Sequence, residues 1–121
     1  MKYTTIWRRS LERLVQNKVL SLLGLATRSR NVVSGEFMTE TSVKSGKAHL
    51  VIVACDASDN TKKEFTNMCK YYHVPVYCFG TKAELGHAMG KEMRASLAVT
   101  DEGFSKSLMK LLNDGGSRID G

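Results

Sequence analysis

"HLVIVACD", residues 49–56, carries six apolar residues in unbroken succession from Leu50 to Cys55, three of them β-branched. An amphipathic helix would interrupt such a run every few residues, and a half-exposed strand would alternate it. A continuous run of this length reads as a strand covered on both faces, the centre of a sheet with helices on either side.

The flanking segments alternate accordingly. Downstream, "ASDNTKKEFTNMCKYYH" places Phe65, Met68, Cys69 and Tyr72 at helical spacing, with Asp56 at the strand end read as a cap for that helix. "VPVYCF" returns to β-branched and aromatic residues and predicts a second strand. In "TKAE", residues 81–84, Thr81 and Glu84 form a capping-box pattern that starts a short helix through Leu85 to about Met89, with Gly86 and Gly90 allowing close approach and exit. "ASLAVTD" predicts a last strand, and "EGFSKSLMKLLND" a final helix using Phe104, Leu108, Leu111 and Leu112. Upstream, "LERLVQNKVLSLLGLA" gives one apolar stripe through Leu11, Leu14, Val15, Val19, Leu22, Leu23 and Ala26. A second helix follows Val32 and Val33, with Ser34 as its cap and Gly46 as its stop. The pattern predicts an α/β sandwich. Residues 1–16 read as an N-terminal extension of undecided order, 17–113 as a single domain, and 114–121 as a mobile tail.

Composition bounds the function. The chain has 121 residues, enough for one core without disulfides or metal, and a formal charge of +6. Residues 1–50 hold 9 Lys/Arg against 3 Asp/Glu, while 51–121 hold 9 of each, so the whole excess lies in the first part. A basic balance favours polyanionic partners, nucleic acid first. Cys55, Cys69 and Cys78 are odd in number and lack C-x-x-C spacing, which suggests neither a disulfide framework nor a zinc site and fits a reducing cytoplasm. Apolar runs fall short of the roughly 20 residues of a membrane span.

No catalytic constellation emerges. Gly86, Gly90 and Lys91 satisfy neither the dinucleotide fingerprint nor the P-loop pattern, and His49, His73 and His87 are scattered without metal-ligand spacing. Lys62, Lys63 and Lys70 read as the solvated face of a helix. Lys82, Lys91 and Arg94 instead flank a short helix on its two loops, where cations can converge on one ligand.

Together, "SGEFMTETSVKSGKAHLVIVACDAS" (34–58), "VPVYCFGTKAELGHAMGK" (74–91) and "AVTDEGFSKSL" (98–108) resemble the kink-turn-binding ribosomal protein family of the L-seven-Ae type, in particular its bacterial YlxQ-like branch. The resemblance covers roughly residues 17–112. It implies a three-layer α/β/α sandwich around a mixed sheet of about four strands, no catalytic activity, no cofactor or metal, and structured RNA, ribosomal RNA included, as partner. It further implies a cytoplasmic, ribosome-associated protein that is a monomer when free, with no membrane partner. In the family, the helix after the glycine corresponding to Gly35 enters the groove of a sharply bent RNA. Asn, Glu and, one turn later, Lys are usual there, where Phe37, Met38 and Thr41 stand in this chain. Gly35 and Glu36 persist, and Lys44 lies a turn further on. The L-G-x-A-x-G pattern is met by Leu85, Gly86, Ala88 and Gly90, which places Lys91, Glu92, Met93 and Arg94 in the loop the family lays against bulged nucleotides. Ser58, Lys62 and Lys82 border the same surface. By this resemblance Lys44, Lys62, Lys82, Lys91 and Arg94 contact phosphates, and Met93 and Phe37 pack on an unstacked base. Two other function classes stand beside it: a protein-interaction adaptor on the same fold, suggested by Phe37 and Met38, and an enzyme holding a small phosphorylated ligand at the sheet edge.

Overall fold

The computed structural model describes the backbone of residues 2–115 and 117–118, with side chains from 12 to 113. In chain order the elements are α1 (Lys2–Arg28), β1 (Val32–Ser34), α2 (Glu36–Lys44), β2 (Leu50–Val53), α3 (Asp59–Tyr72), β3 (Val76–Cys78), α4 (Lys82–Ala88), β4 (Ser96–Val99), α5 (Glu102–Gly115) and β5 (Ser117–Arg118). The strands form one mixed sheet in the order β1-β4-β2-β3-β5. β2 runs parallel to β3 and antiparallel to β4, and β4 is antiparallel to β1.

β2 is the centre that its sequence predicts. Leu50, Val51, Ile52 and Val53 are fully buried, because α1, α4 and α5 pack together on one side of the sheet and α2 and α3 on the other. Burying each such side chain contributes about 1.5–3 kcal/mol. Val19, Leu23, Leu108 and Leu112 fill one helical layer, and Val43, Phe65 and Cys69 the other. Tyr77 brings a polar end into this core and satisfies it, its hydroxyl donating to Asn113 Oδ1 at 2.6 Å, which ties β3 to α5.

Several expectations change in detail. Leu14 and Tyr72, read as parts of apolar stripes, are exposed. The boundary expected between residues 16 and 17 falls inside α1. Ser34 does not cap α2: it ends β1, paired with Leu97, and the cap position is Gly35, with no side-chain cap bond. Asp56 does not cap α3 either; that place is taken by Ser58, whose hydroxyl accepts from Thr61 N. In the segment read as a tail, Ser117 and Arg118 pair antiparallel with Cys78 and Tyr77, adding a short fifth strand to the four expected. Gly116 and residues 119–121 lie outside the described residues.

Candidate nucleic-acid interface

The sheet register gathers the loops. Ser34 lies opposite Leu97, and Ser96 opposite Val53, which in turn lies opposite Cys78. The C-terminal ends of β1, β2 and β3 and the start of β4 therefore share one end of the sheet. From that end emerge Gly35 with α2, the 54–58 turn with α3, the 79–81 turn with α4, and the 90–95 loop. Three helices thus point their N-termini, with free amides and positive dipole ends, the same way.

Two of those N-termini are closed. Ser58 caps α3, its hydroxyl also donating to Thr61 Oγ1 at 2.9 Å. α4 has the predicted capping box: Thr81 Oγ1 accepts from Glu84 N at 3.1 Å and Glu84 Oε1 from Thr81 N at 3.0 Å. Asp56 adds a third bond, its Oδ1 accepting from Lys82 N at 2.8 Å across 26 residues of sequence. The carboxylate read as a local cap thus serves the neighbouring helix.

α2 is the open one. Gly35 at φ 89°, ψ 156° turns the chain from β1 into the helix in a conformation open essentially to glycine. With no side chain bonded over the first turn, its amides are left for an incoming acceptor. Phe37 and Met38 stand on that turn, 76% and 49% exposed. Glu36 is turned toward α3, where hydrogen bonding to it, and then its charge, raise the Glu64 carboxyl above its ordinary range. Thr41 donates back to Phe37 O at 2.9 Å, so its hydroxyl is engaged within its own helix. Lys44 ends the same helix, eight residues or about 12 Å beyond Glu36, in an ion pair with Glu40 at 2.7 Å. That bond and the Glu40 charge raise the Lys44 ammonium's pKa. The structure does not bring Lys44 to the sheet end with the others.

Across from α2 lies the 90–95 loop, shaped by Gly86. A Cβ on Gly86 would stand 1.8 Å from Glu92 O, so only glycine lets the loop fold back on α4. Lys91 N donates to Gly86 O at 2.8 Å and Arg94 N to Lys82 O at 3.0 Å, fixing the loop at both ends. Lys91, Glu92 and Met93 are left exposed, Met93 by 59%. Arg94 closes the arrangement: Nε donates to Ser34 Oγ at 3.2 Å and Nη1 to Met93 O at 3.0 Å, leaving Nη2 without a partner among the described residues. Lys82 and Lys62, both half-buried, flank the Asp56 turn.

Sequence reasoning missed Ser34 as a partner of Arg94 and Asp56 as a partner of Lys82. Neither bond leaves a local signal, since the partners are 60 and 26 residues apart. Part of the basic charge of the first 50 residues lies elsewhere. Arg28 and Arg30 precede β1 and Lys47 precedes β2, at the opposite end of the sheet.

The family profile described as "Ribosomal protein L7Ae/L30e/S12e/Gadd45 family" matches residues 17–109. The chain is 47% identical over 92 residues to the RNA-binding protein YlxQ of Bacillus subtilis (strain 168), covering 76% of this chain and 92% of that protein. It is 34% identical over 86 residues to the large ribosomal subunit protein eL30 of Methanothermobacter thermautotrophicus, covering 69% of this chain and 88% of that one. Neither name is an enzyme's. A solved structure of a protein of unknown function from Bacillus halodurans superposes with a TM-score of 0.77 at 42% identity, covering 79% of this chain and 97% of that one. The Giardia lamblia 15.5kD RNA binding protein shares the fold, with a TM-score of 0.70 at 21% identity, covering 84% and 87% of the two chains. No helix among the described residues is long and apolar enough to cross a membrane. The chain belongs to the ribosomal protein L7Ae/L30e/S12e/Gadd45 family, in its YlxQ-like branch.

Proposed function

We propose that this chain is a non-catalytic RNA-binding protein of the cytoplasm that recognises a kink-turn or similarly bulged RNA, in association with the ribosome and as a monomer when free. The supporting observation is the uncapped α2 N-terminus facing the 91–94 loop, with Arg94 bonded to Ser34 between them. An A-form major groove is too deep and narrow to read, so a sharply bent, locally opened duplex is where a helix N-terminus reaches base edges. The open α2 amides and Gly35 approach the RNA backbone and base edges. Lys62, Lys82, Lys91 and Arg94 hold phosphates, which positions the RNA without reading its sequence. Phe37, Met38 and Met93 offer apolar faces on which unstacked bases rest. Glu36, Thr41, Ser58 and Glu92 border the contact, and Lys44 reaches only an RNA that extends along α2.

Direct titration tests this function, using a kink-turn RNA, a plain duplex of equal length and a kink-turn with its G·A pairs replaced, each over a salt series. Preference for the intact kink-turn by roughly tenfold, equivalent to about 1.4 kcal/mol, is expected. Equal affinity for all three would leave charge-driven association alone, with its steep salt dependence.

A further inference from the structure

Cys55 and Cys78 are 23 residues apart, and nothing in their spacing pairs them. The fold does. β2 and β3 run parallel with Val53 opposite Cys78, and two backbone bonds continue the ladder past the strand ends: Phe79 N to Val53 O at 3.0 Å, and Cys55 N to Gly80 O at 2.7 Å. These bonds bracket the two side chains and bring their Sγ atoms to 2.7 Å. That is closer than two unbonded sulfurs ordinarily sit, and near the ~2.05 Å of a disulfide. Cys55 is exposed and Cys78 partly so, whereas Cys69 is buried in α3.

We propose that Cys55 and Cys78 form a redox modification site that closes to an intramolecular disulfide on meeting hydrogen peroxide and reopens by exchange with a dithiol reductant. The Cys78 thiolate attacks the peroxide, the O–O bond breaks, and Cys78 becomes a sulfenic acid while the departing hydroxide takes up a proton as water. The Cys55 sulfur then attacks the sulfenic sulfur, and its thiol proton leaves with the displaced hydroxyl as a second water. Two thiols give up two electrons and one peroxide becomes two waters.

The order of attack follows from the surroundings. Partial burial of this otherwise exposed residue, then the hydrogen bond and charge of Cys78, push the Cys55 thiol up to about 12, against the opposing pull of the Lys62 ammonium. A thiol so raised is almost wholly protonated near neutral pH and is a poor first nucleophile. Oxidation of Cys78 removes its part in that effect and frees Cys55 to resolve the intermediate. The crosslink lies at the root of the interface, since Cys55 adjoins Asp56, which holds Lys82 N, and Lys82 O in turn accepts from Arg94 N. The chemistry stands whichever ligand that end of the sheet takes.

Trypsin puts the three cysteines on separate peptides, because Lys47, Lys62, Lys63, Lys70 and Lys82 fall around them. The full chain is treated with hydrogen peroxide, alkylated, digested without reductant and mapped by mass. The expected product is lighter by two hydrogens, with the Cys55 and Cys78 peptides joined, and it reverts with dithiothreitol. Cys69→Ser keeps the link, while Cys55→Ser leaves Cys78 as a sulfenic acid that a dimedone probe traps. A chain that resists peroxide, stops at sulfinic acid in the wild type, forms only intermolecular dimers, or links through Cys69 overturns the proposal.

Discussion

Arg94 Nε donates to Ser34 Oγ at 3.2 Å, joining two segments 60 residues apart in sequence. Ser34 immediately precedes the Gly35 turn, and Arg94 closes the loop opposite, so this bond spans the two sides of the candidate interface, beside the backbone bond from Gly35 N to Ser96 O at 3.0 Å. The two roles of Arg94, brace and cation, separate by mutation. Arg94→Ala is expected to weaken RNA binding and to lower the salt slope by about one released counterion. Ser34→Ala removes the brace and keeps the charge, so affinity falls less and the salt slope stays. Equal slopes for wild type and Arg94→Ala would remove the guanidinium from the phosphate contacts. Lys91→Ala, with no brace to lose, should change the slope without changing stability.

Gly86→Ala forces a Cβ to within 1.8 Å of Glu92 O, a backbone atom that cannot swing aside. The 91–94 loop must move, and a loss of about 1–3 kcal/mol in urea unfolding is expected. RNA affinity should also fall at temperatures where the variant is fully folded. A variant as stable as wild type would show that the loop is not held against α4.

Gly35→Ala meets no atom within 4 Å, so its cost is backbone strain alone, about 1–3 kcal/mol. The strain is relieved only if the turn into α2 opens, which tilts the uncapped amides away from the loop. Denaturation midpoints and RNA affinity should fall together in this variant. An unchanged midpoint would mean that the φ of 89° is not required.

These two glycines also mark what the sequence makes legible. The unbroken run from Leu50 to Val53 is readable because burial on both faces leaves no polar position. The Thr81–Glu84 capping box is readable because both of its bonds span three residues. β1 is only three residues long and β5 two, too short for any period to register, and each is fixed by its partner strand rather than by itself. By its position in the sequence Asp56 reads as a cap for the helix next to it. It serves α4 because β2 and β3 end side by side, a fact of sheet register that no local pattern carries. The resemblance supplied the loop 91–94, whereas the close approach of Glu92 O to Gly86 is a tertiary contact.

Asp56→Ala removes the acceptor from Lys82 N and should cost about 1 kcal/mol, as the loss of a helix cap does. Asp56→Asn keeps an acceptor and should recover most of it. If both variants unfold at the wild-type midpoint, the long-range cap contributes nothing to stability.

Glu64 predicts a pH effect of known sign. Its carboxyl is raised by hydrogen bonding to Glu36 and then by the Glu36 charge. The folded chain therefore binds this proton more tightly than the unfolded chain. The resulting stabilisation is fully present below the ordinary glutamate range and is lost as pH rises through the folded value. Glu64→Gln should lower stability at mildly acidic pH relative to neutral pH, the change being small because the group is fully exposed. Urea titrations at several pH values check this; a variant that gains stability at mildly acidic relative to neutral pH would reverse the sign.

The interface is tested most directly by following backbone amides in an NMR titration with a kink-turn RNA. The expected result is that shifts concentrate at Glu36, Phe37 and Met38 and at Lys91 to Arg94, the two sides joined by the Arg94–Ser34 bond. Shifts confined to Arg28, Arg30 and Lys47, at the opposite end of the sheet, would place the RNA on those cations instead and rule out the α2–loop interface.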